Sequence, residues 1–262
     1  MEALLLTEEE IGEAKEIIYS FIKGFVKKGV IGLSGGIDSS LVAYLSAEAI
    51  GPENIYGLIM PSDSNTVEDE IYAKGVALDL GIKYDVINIT PVAESFSKSS
   101  EYFNDRLSVG NLKARIRMCY LYGYANSNSA LVIGTDNKTE GEIGYFTKYG
   151  DGGTDINPIG DLYKTQVRQV AKDIGVPEII INRAPTAGLW DGQTDEDELG
   201  IIYELLDKIL LGRDLGYTKM TVANVLEIDL EKVEEIERMR SSTYHKRSMP
   251  PSPEVFGGGE EA

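Results

Sequence analysis

Four short apolar runs alternate with helix-patterned stretches through the first half of the chain, and this alternation restricts the fold more than any other feature. Residues 29–33 (GVIGL), 54–60 (NIYGLIM), 83–89 (KYDVINI) and 129–135 (SALVIGT) have the length and composition of strands. Between them the pattern predicts helices over 38–50, 66–80 (stopped by Gly81) and 104–127. Another opens at Thr90-Pro91, where proline is tolerated in the first turn. An amphipathic helix over 8–27 precedes them, with Thr7 as its cap and Ile11, Ile17, Ile18, Phe21, Ile22 and Phe25 on one face. Strand–helix alternation implies an α/β fold, an open doubly wound parallel sheet covered by helices on both faces. Residues 177–198 read as loop-rich, with Pro177, Pro185, Gly188 and Gly192, and three short helices are expected near 198–211, 218–226 and 229–241. Residues 1–262 are expected to form one domain with a helical C-terminal elaboration and a mobile Pro/Gly-rich tail at 250–262.

Composition narrows the setting. Cys119 is the one cysteine among 262 residues, so neither a disulfide framework nor a cysteine metal site is expected, which fits a reducing cytoplasm. The start, MEALLLTEEE, lacks the basic and apolar regions of a secretion signal. No window reaches the apolar length of a membrane span, so no membrane partner is expected. A formal net charge of -18 speaks against a nucleic-acid partner, whose phosphates call for a basic face. It leaves room for a small phosphorylated ligand held by local lysines, and its simplest effect is solubility.

The turn after the first strand reads Gly32-Leu33-Ser34-Gly35-Gly36-Ile37-Asp38-Ser39-Ser40. In open parallel sheets, ligands bind beyond the carboxyl ends of strands where strand order reverses. Backbone amides at Gly35 and Gly36, the following helix N-terminus and the serine hydroxyls suit one bound anion. The turn lacks the lysine of the GxxxxGK[ST] loop and the spacing of GxGxxG. Asp38 would repel a polyphosphate unless a divalent cation lay between them, and Mg²⁺ is commonly held by one or two carboxylates plus phosphates. Taken alone, the same residues also make an ordinary serine/glycine turn with Asp38 as a helix cap.

SGGIDSS (34–40) resembles the pyrophosphate-binding loop of the N-type ATP pyrophosphatases, which cleave ATP between its α- and β-phosphates and adenylate a substrate. Four further stretches narrow the likeness: NLKARIRM (111–118), GTDNKTEGEIGYFTKYGDGGTDINPIGDLYKTQ (134–166), PTAGLWDGQTDEDELG (185–200) and HKR (245–247). In order and spacing, from about residue 8 to 250, they resemble the ammonia-dependent NAD synthetases. The resemblance implies an adenine nucleotide alpha hydrolase-like, Rossmann-like sheet. It also implies amidation of deamido-NAD by ammonia, giving NAD, AMP and pyrophosphate through an acyl-adenylate, with Mg²⁺ as cofactor, ATP as co-substrate and a homodimeric assembly.

Residue by residue, the resemblance assigns the turn Gly32–Ser39, Thr135, Lys164 and Thr186 to ATP, with Lys164 neutralising phosphate charge. It makes Asp38 and Glu140 the Mg²⁺ ligands, and has Arg115, Lys148, Asp155, His245 and Lys246 hold deamido-NAD. Asp151 is expected to hold ammonium and accept its proton. Without the resemblance these residues have plainer readings. Glu140 is a solvated acid in KTEGE, Lys164 a solvated residue in a first helical turn, Thr135 a strand-end residue and Thr186 a loop hydroxyl. Arg115 is then a surface residue, and 245–247 a solvated basic patch. Trp190 fits either a gate or core packing. Ile37 and Lys113 depart from the family pattern, each standing where glutamine is common. MPSDSNT (60–66) is a candidate edge of the adenine pocket. Glutamine-using relatives carry an amidase domain with a catalytic cysteine, whereas Cys119 falls in a predicted helix, so free ammonia, or ammonia from a separate partner, is the expected nitrogen source. The apolar faces of 8–27 and 104–127 are candidates for the dimer contact. Two rival readings are a tRNA-modifying or GMP-forming pyrophosphatase and a nucleotide sensor without turnover.

Overall fold

The computed structural model describes residues 4–253 apart from 187, 189 and 191–193. Helix α1 (Glu8–Phe25) starts where expected because Thr7 and Glu10 form a capping box, each side chain bonded to the other's backbone N–H. Its apolar residues do not share one face. Ile11, Ile18 and Ile22 are buried, while Ile17, Phe21 and Phe25 face outward. The two sets form adjacent stripes about 100° apart, because successive helical residues turn by that angle.

The sheet elements follow: β1 (Gly29–Gly32), α2 (Ile37–Ile50), β2 (Ile55–Ile59), α3 (Val67–Leu80), β3 (Lys83–Val86), α4 (Thr90–Ser99), α5 (Arg106–Asn128) and β4 (Leu131–Val132). All pairings are parallel and the strand order is β3-β2-β1-β4, so the order reverses between β1 and β4. Two strands are shorter than the sequence suggested. The third ends at Val86, and the fourth spans only Leu131–Val132. Beyond Val132 the backbone pairs with a segment the hydrophobic pattern did not reveal. Ile133 bridges Ile156, and the N–H groups of Asp155 and Gly134 donate to Val132 and Ile156.

Strand residues alternate between two cores, as period-2 geometry requires. Ile31 and Leu33 join α1, α2 and α3 through Ile22, Leu41, Leu45 and Val76. Val30, Leu58 and Val132 pack against Ala93, Leu112 and Ile116 of α4 and α5. The sheet is therefore covered on both faces, and each fully buried aliphatic side chain contributes about 1.5–3 kcal/mol.

The C-terminal half adds α6 (Lys138–Ile143), α7 (Lys164–Asp173), α8 (Glu178–Ile181), α9 (Asp195–Leu199), α10 (Tyr203–Asp214), α11 (Lys219–Leu226) and α12 (Leu230–Ser242). Helix α7 joins the first core through Val167 and Val170. The loop-rich stretch 177–198 also holds α8 and most of α9. The helix expected over 198–211 is split because Gly200 takes a left-handed conformation (φ 61) and caps α9 before α10 begins. Tyr203, Leu206, Leu210, Val222, Val233 and Ile236 form a separate core for this elaboration. Residues 254–262, most of the expected mobile tail, lie outside the described residues. Among the described residues, no helix is long and apolar enough to cross a membrane.

Candidate active site

A cavity of about 610 Å³ opens at the carboxyl ends of β1 and β4. Its floor is the glycine turn. Gly35 has φ 81, and a Cβ there would lie 2.3 Å from the backbone oxygen of Asp69, so both conformation and space demand glycine. The turn is tied internally. Ser34 Oγ accepts from Gly36 N at 3.2 Å and meets Ser39 Oγ at 2.9 Å, and Ser40 Oγ donates to Gly36 O at 2.8 Å. Gly36 is the N-cap of α2, with no side-chain cap bond. Asp38 therefore lies inside the first helical turn and is not the cap. The first N–H groups of α2 have no partner within the helix and carry its positive end into the cavity.

Glu140 reaches the same place from the other side of the sheet reversal. It is the third residue of α6, where Asn137 and Glu140 form a capping box. Asn137 Nδ2 also donates to Asp38 Oδ1 at 2.9 Å, so one asparagine aligns both acids. Lys164, the first residue of α7, completes the group. Its Nζ lies 2.5 Å from Asp38 Oδ2 and 3.2 Å from Glu140 Oε1, and its side chain is 3% exposed. Three residues separated by as many as 126 positions thus share one buried charge centre, and neither Glu140 nor Lys164 is a solvated surface residue.

Burial works against the Lys164 ammonium, but Asp38 and Glu140 outweigh it and push its pKa up. Burial, opposed by Lys164 and reinforced by Asp38, pushes the Glu140 carboxyl up to about 7. The lysine is held charged, and the acids pay part of the desolvation penalty of a buried ion pair. Removing one member of such a group costs about 3–5 kcal/mol because it strands the others.

Thr135, Asp151, Thr186 and Lys246 also line the cavity. Asp151 Oδ1 accepts from Thr147 N at 2.9 Å. Asp151 is exposed as a residue, yet its carboxyl is surrounded by protein inside the concavity, and the resulting desolvation raises its pKa. Thr186 is exposed, and its Oγ accepts from Gly188 N at 3.1 Å. Lys246 Nζ donates to the backbone oxygens of Gly144 and Phe146 at 2.7 and 2.8 Å. Burial lowers its pKa. It does not belong to a freely solvated patch.

Arg115, Lys148, Asp155 and His245 lie outside the cavity wall. The first, second and fourth cluster nearby: Arg115 Nη2 donates to Lys148 O at 3.3 Å, and Lys148 Nζ donates to His245 O. Asp155 stands at the sheet edge, accepting from Val132 N at 2.8 Å and Tyr122 Oη at 3.1 Å.

Sequence reasoning missed Asp136, Arg117 and Asp195, which all line the cavity. Asp136 adjoins Thr135 in the quoted GTDN stretch. Its carboxyl is held well above the usual range by burial and by Asp151, Glu140 and Asp38. Helix periodicity narrows the choice on α5 to Arg115 and Arg117. Leu107, Asn111, Ala114, Met118 and Leu121 form the cavity-facing stripe of α5; helical spacing puts both Arg117 and Arg115 at its borders, and the cavity wall takes only Arg117. Its guanidinium donates to Met60 O, Ser62 Oγ and Asn65 Oδ1 at 3.1, 3.4 and 3.0 Å, and burial pushes its pKa down to about 10. Trp190 is also on the wall, with the Arg106 guanidinium 4.5 Å above its ring, so it is not a core residue.

Known proteins resemble this chain in sequence and fold. The NH(3)-dependent NAD(+) synthetase of Pyrococcus furiosus is 50% identical over 241 residues, 91% of this chain and 93% of that protein. An NMN synthetase structure from Francisella tularensis superimposes with a TM-score of 0.83 at 37% identity, covering 94% of this chain and 99% of the other. The NH3-dependent NAD synthetase of Campylobacter jejuni gives 0.78 at 31% identity, covering 93% and 99%. The NAD synthase family pattern matches residues 14–250, a span containing the glycine turn, the Asp38–Lys164–Glu140 centre and the Lys246 arm. With its sheet order, its cavity and nearly its whole length accounted for, this chain belongs to the NAD synthase family.

Proposed function

We propose that the chain amidates deamido-NAD with ammonia, consuming ATP and releasing NAD, AMP and pyrophosphate, the last step of NAD biosynthesis. The convergence of Asp38, Lys164 and Glu140 beside a glycine turn, in a member of this family, carries the reading.

The nicotinate carboxylate is a poor electrophile. Its oxygen bonds to the α-phosphorus of ATP, the bond from that phosphorus to the bridging oxygen breaks, and pyrophosphate leaves with the electron pair. The N–H groups of the turn and the N-terminus of α2 receive the departing charge, and the protonated Lys164 neutralises it. Such fixed donors stabilise the transition state without reorganisation. Thr135 and Thr186, both on the cavity wall, are proposed to contact ATP. Ammonia then attacks the acyl carbon, the bond to the adenylate oxygen breaks and AMP departs. Asp151 takes the proton lost by nitrogen. No protein nucleophile is needed.

Asp38 and Glu140 already share one cation, the Lys164 ammonium, so their oxygens suit a hard metal ion as well. Among the described residues, no group of three His, Cys, Asp or Glu side chains could hold a metal. Mg²⁺ fits this donor set because it takes few protein carboxylates and completes its shell with phosphates and waters. When bound, it would supply charge neutralisation at the phosphates.

Lys246, at the cavity wall, and the neighbouring Arg115, Lys148 and His245 are proposed to hold deamido-NAD, with Asp155 at the sheet edge accepting from a ribose hydroxyl. A substrate with two nucleotide halves can extend from the cavity to that patch. We assign the enzyme to the cytoplasm as a homodimer, with the exposed Ile17, Phe21 and Phe25 of α1 as apolar surface for the contact.

Incubation with ATP, Mg²⁺, deamido-NAD and ammonia should give NAD, AMP and pyrophosphate in equal amounts; ATP consumption without NAD would overturn the assignment. The likeness to the Francisella protein favours one second reading, amidation of the mononucleotide. A higher kcat/KM for the nicotinate mononucleotide than for the dinucleotide would select it. Asp151→Asn should slow the ammonia-dependent step by about 10²- to 10⁴-fold and spare adenylate formation. Equal losses in both half-reactions would remove Asp151 from its role.

A further inference from the structure

Asp207 is a fully buried carboxylate in α10, outside the cavity wall and unused by the chemistry above. A buried carboxylate is costly unless donors satisfy it, and its donors come from the two segments that carry active-site charges. Thr139 Oγ donates to Asp207 Oδ1 at 2.5 Å. Thr165 donates to Oδ2 twice, from its N–H at 2.8 Å and its hydroxyl at 2.6 Å. Thr139 precedes Glu140, and Thr165 follows Lys164. The Thr139 hydroxyl also accepts from Lys164 N at 2.9 Å, which closes the link between α6 and α7.

One helical turn earlier on the same face of α10, Tyr203 continues the support. Its ring lies beneath the Lys164 ammonium, 5.2 Å from Nζ to centroid. Its hydroxyl donates to Asp195 Oδ2 at 3.1 Å and lies 3.5 Å from Glu140 Oε1. Helix α10 belongs to the C-terminal elaboration, whose core is separate from those of the sheet. That core takes in Ile143 of α6 and Tyr163, which caps α7, so α10 meets both charge-bearing segments by apolar packing, and the polar contacts of Asp207 and Tyr203 add defined distances to it.

We propose that Asp207 is a positioning residue for the phosphate side of the reaction. By clamping Thr139 and Thr165, it sets the separation between the Glu140 carboxylate and the Lys164 ammonium. The proposal rests on the assigned synthetase activity. It acts through Lys164 and Glu140 and does not involve contact with substrate.

Asp207→Asn places an amide nitrogen against at least one donor and loosens the clamp with little change in volume. A displacement of about 1 Å in a catalytic group costs about 100-fold in rate. The variant is expected to lose about 10- to 100-fold in kcat and to raise KM for ATP, while KM for deamido-NAD and for ammonia stay within twofold of wild type. A general loosening of the protein would move all three KM values together. Thr165→Val removes one hydroxyl donor and keeps the carboxylate; it should give the same pattern at smaller size, and Thr165→Ser should restore wild-type values. If Asp207→Asn does not fold by circular dichroism, the Thr165 pair supplies the readout. A kcat and KM for ATP unchanged in folded Asp207→Asn, or in Thr165→Val, would overturn the proposal, as would a uniform rise in every KM. Absence of NAD formation by the wild-type protein would instead overturn the assigned activity, and the two failures are distinguished in one experiment.

Discussion

The phosphate side and the basic arm of this site are built differently. On the phosphate side, Asp38, Lys164 and Glu140 are fixed by one another, by Asn137 and by the glycine turn, with Lys164 buried and the two acids mostly buried. In the basic arm, Arg115 and His245 are exposed, and Arg115, Lys148 and Lys246 donate to backbone carbonyls. Carbonyl contacts can be exchanged for phosphate or carboxylate contacts at small cost, whereas a buried ion triad cannot lose a member cheaply. The difference matches the two tasks proposed for these regions. Transition-state stabilisation of phosphoryl transfer needs groups that are set before reaction, while a long dinucleotide needs side chains that can close onto it.

Three substitutions test that contrast, in descending order of effect. Lys164→Met should lower kcat by about 10³-fold, since it removes a preorganised cation and leaves two carboxylates facing each other. Pyrophosphate release reports the loss; a decrease below tenfold would place the phosphate side in the same adaptable class as the arm. Gly35→Ala should cost about 100-fold in kcat through displacement of the turn. It should also lower stability by at least about 1–2 kcal/mol, because the left-handed backbone and the Asp69 carbonyl both oppose a Cβ. Steady-state kinetics and thermal unfolding check the two parts. Lys246→Met should raise KM for deamido-NAD about tenfold, the scale of one charge-assisted hydrogen bond, with KM for ATP unchanged. A matching rise in both constants would erase the distinction between the two regions.

The fold was legible where the signal was local. The apolar runs marked all four strands, Thr7 and Gly81 marked helix ends, and the alternation implied the parallel sheet. What escaped was set by tertiary contact. The bridge at Ile156 lies in a Gly/Asp/Asn-rich stretch with no strand periodicity, and only Ile133 and Gly134 beside it reveal the pairing. Ile17, Phe21 and Phe25 read as one face with Ile11, Ile18 and Ile22 because sequence does not say which part of an apolar stripe meets the core; exposure in the fold divides them, the first three facing outward.

The site divides in the same way. The glycine turn and Asp38 were readable from the chain itself, as residues whose conformation and charge suit a metal-bound polyphosphate. Glu140 and Lys164 had no such local signal and entered through resemblance alone, because their meaning arises when α6 and α7 meet Asp38. Asp207 was invisible for the same reason: an acid in a helical sequence shows nothing of three donors arriving from 42 and 68 positions away.

The account centres on the shared charge site at Asp38, Lys164 and Glu140 as the place where the acid is activated. The direct test is rapid-quench measurement of acyl-adenylate from ATP, Mg²⁺ and deamido-NAD without ammonia, comparing wild type with Glu140→Gln. Wild type should form up to one adenylate per site and convert it to NAD when ammonia is added, and Glu140→Gln should form it at least about 100-fold more slowly. Adenylate appearing at the same rate in both proteins would contradict the account.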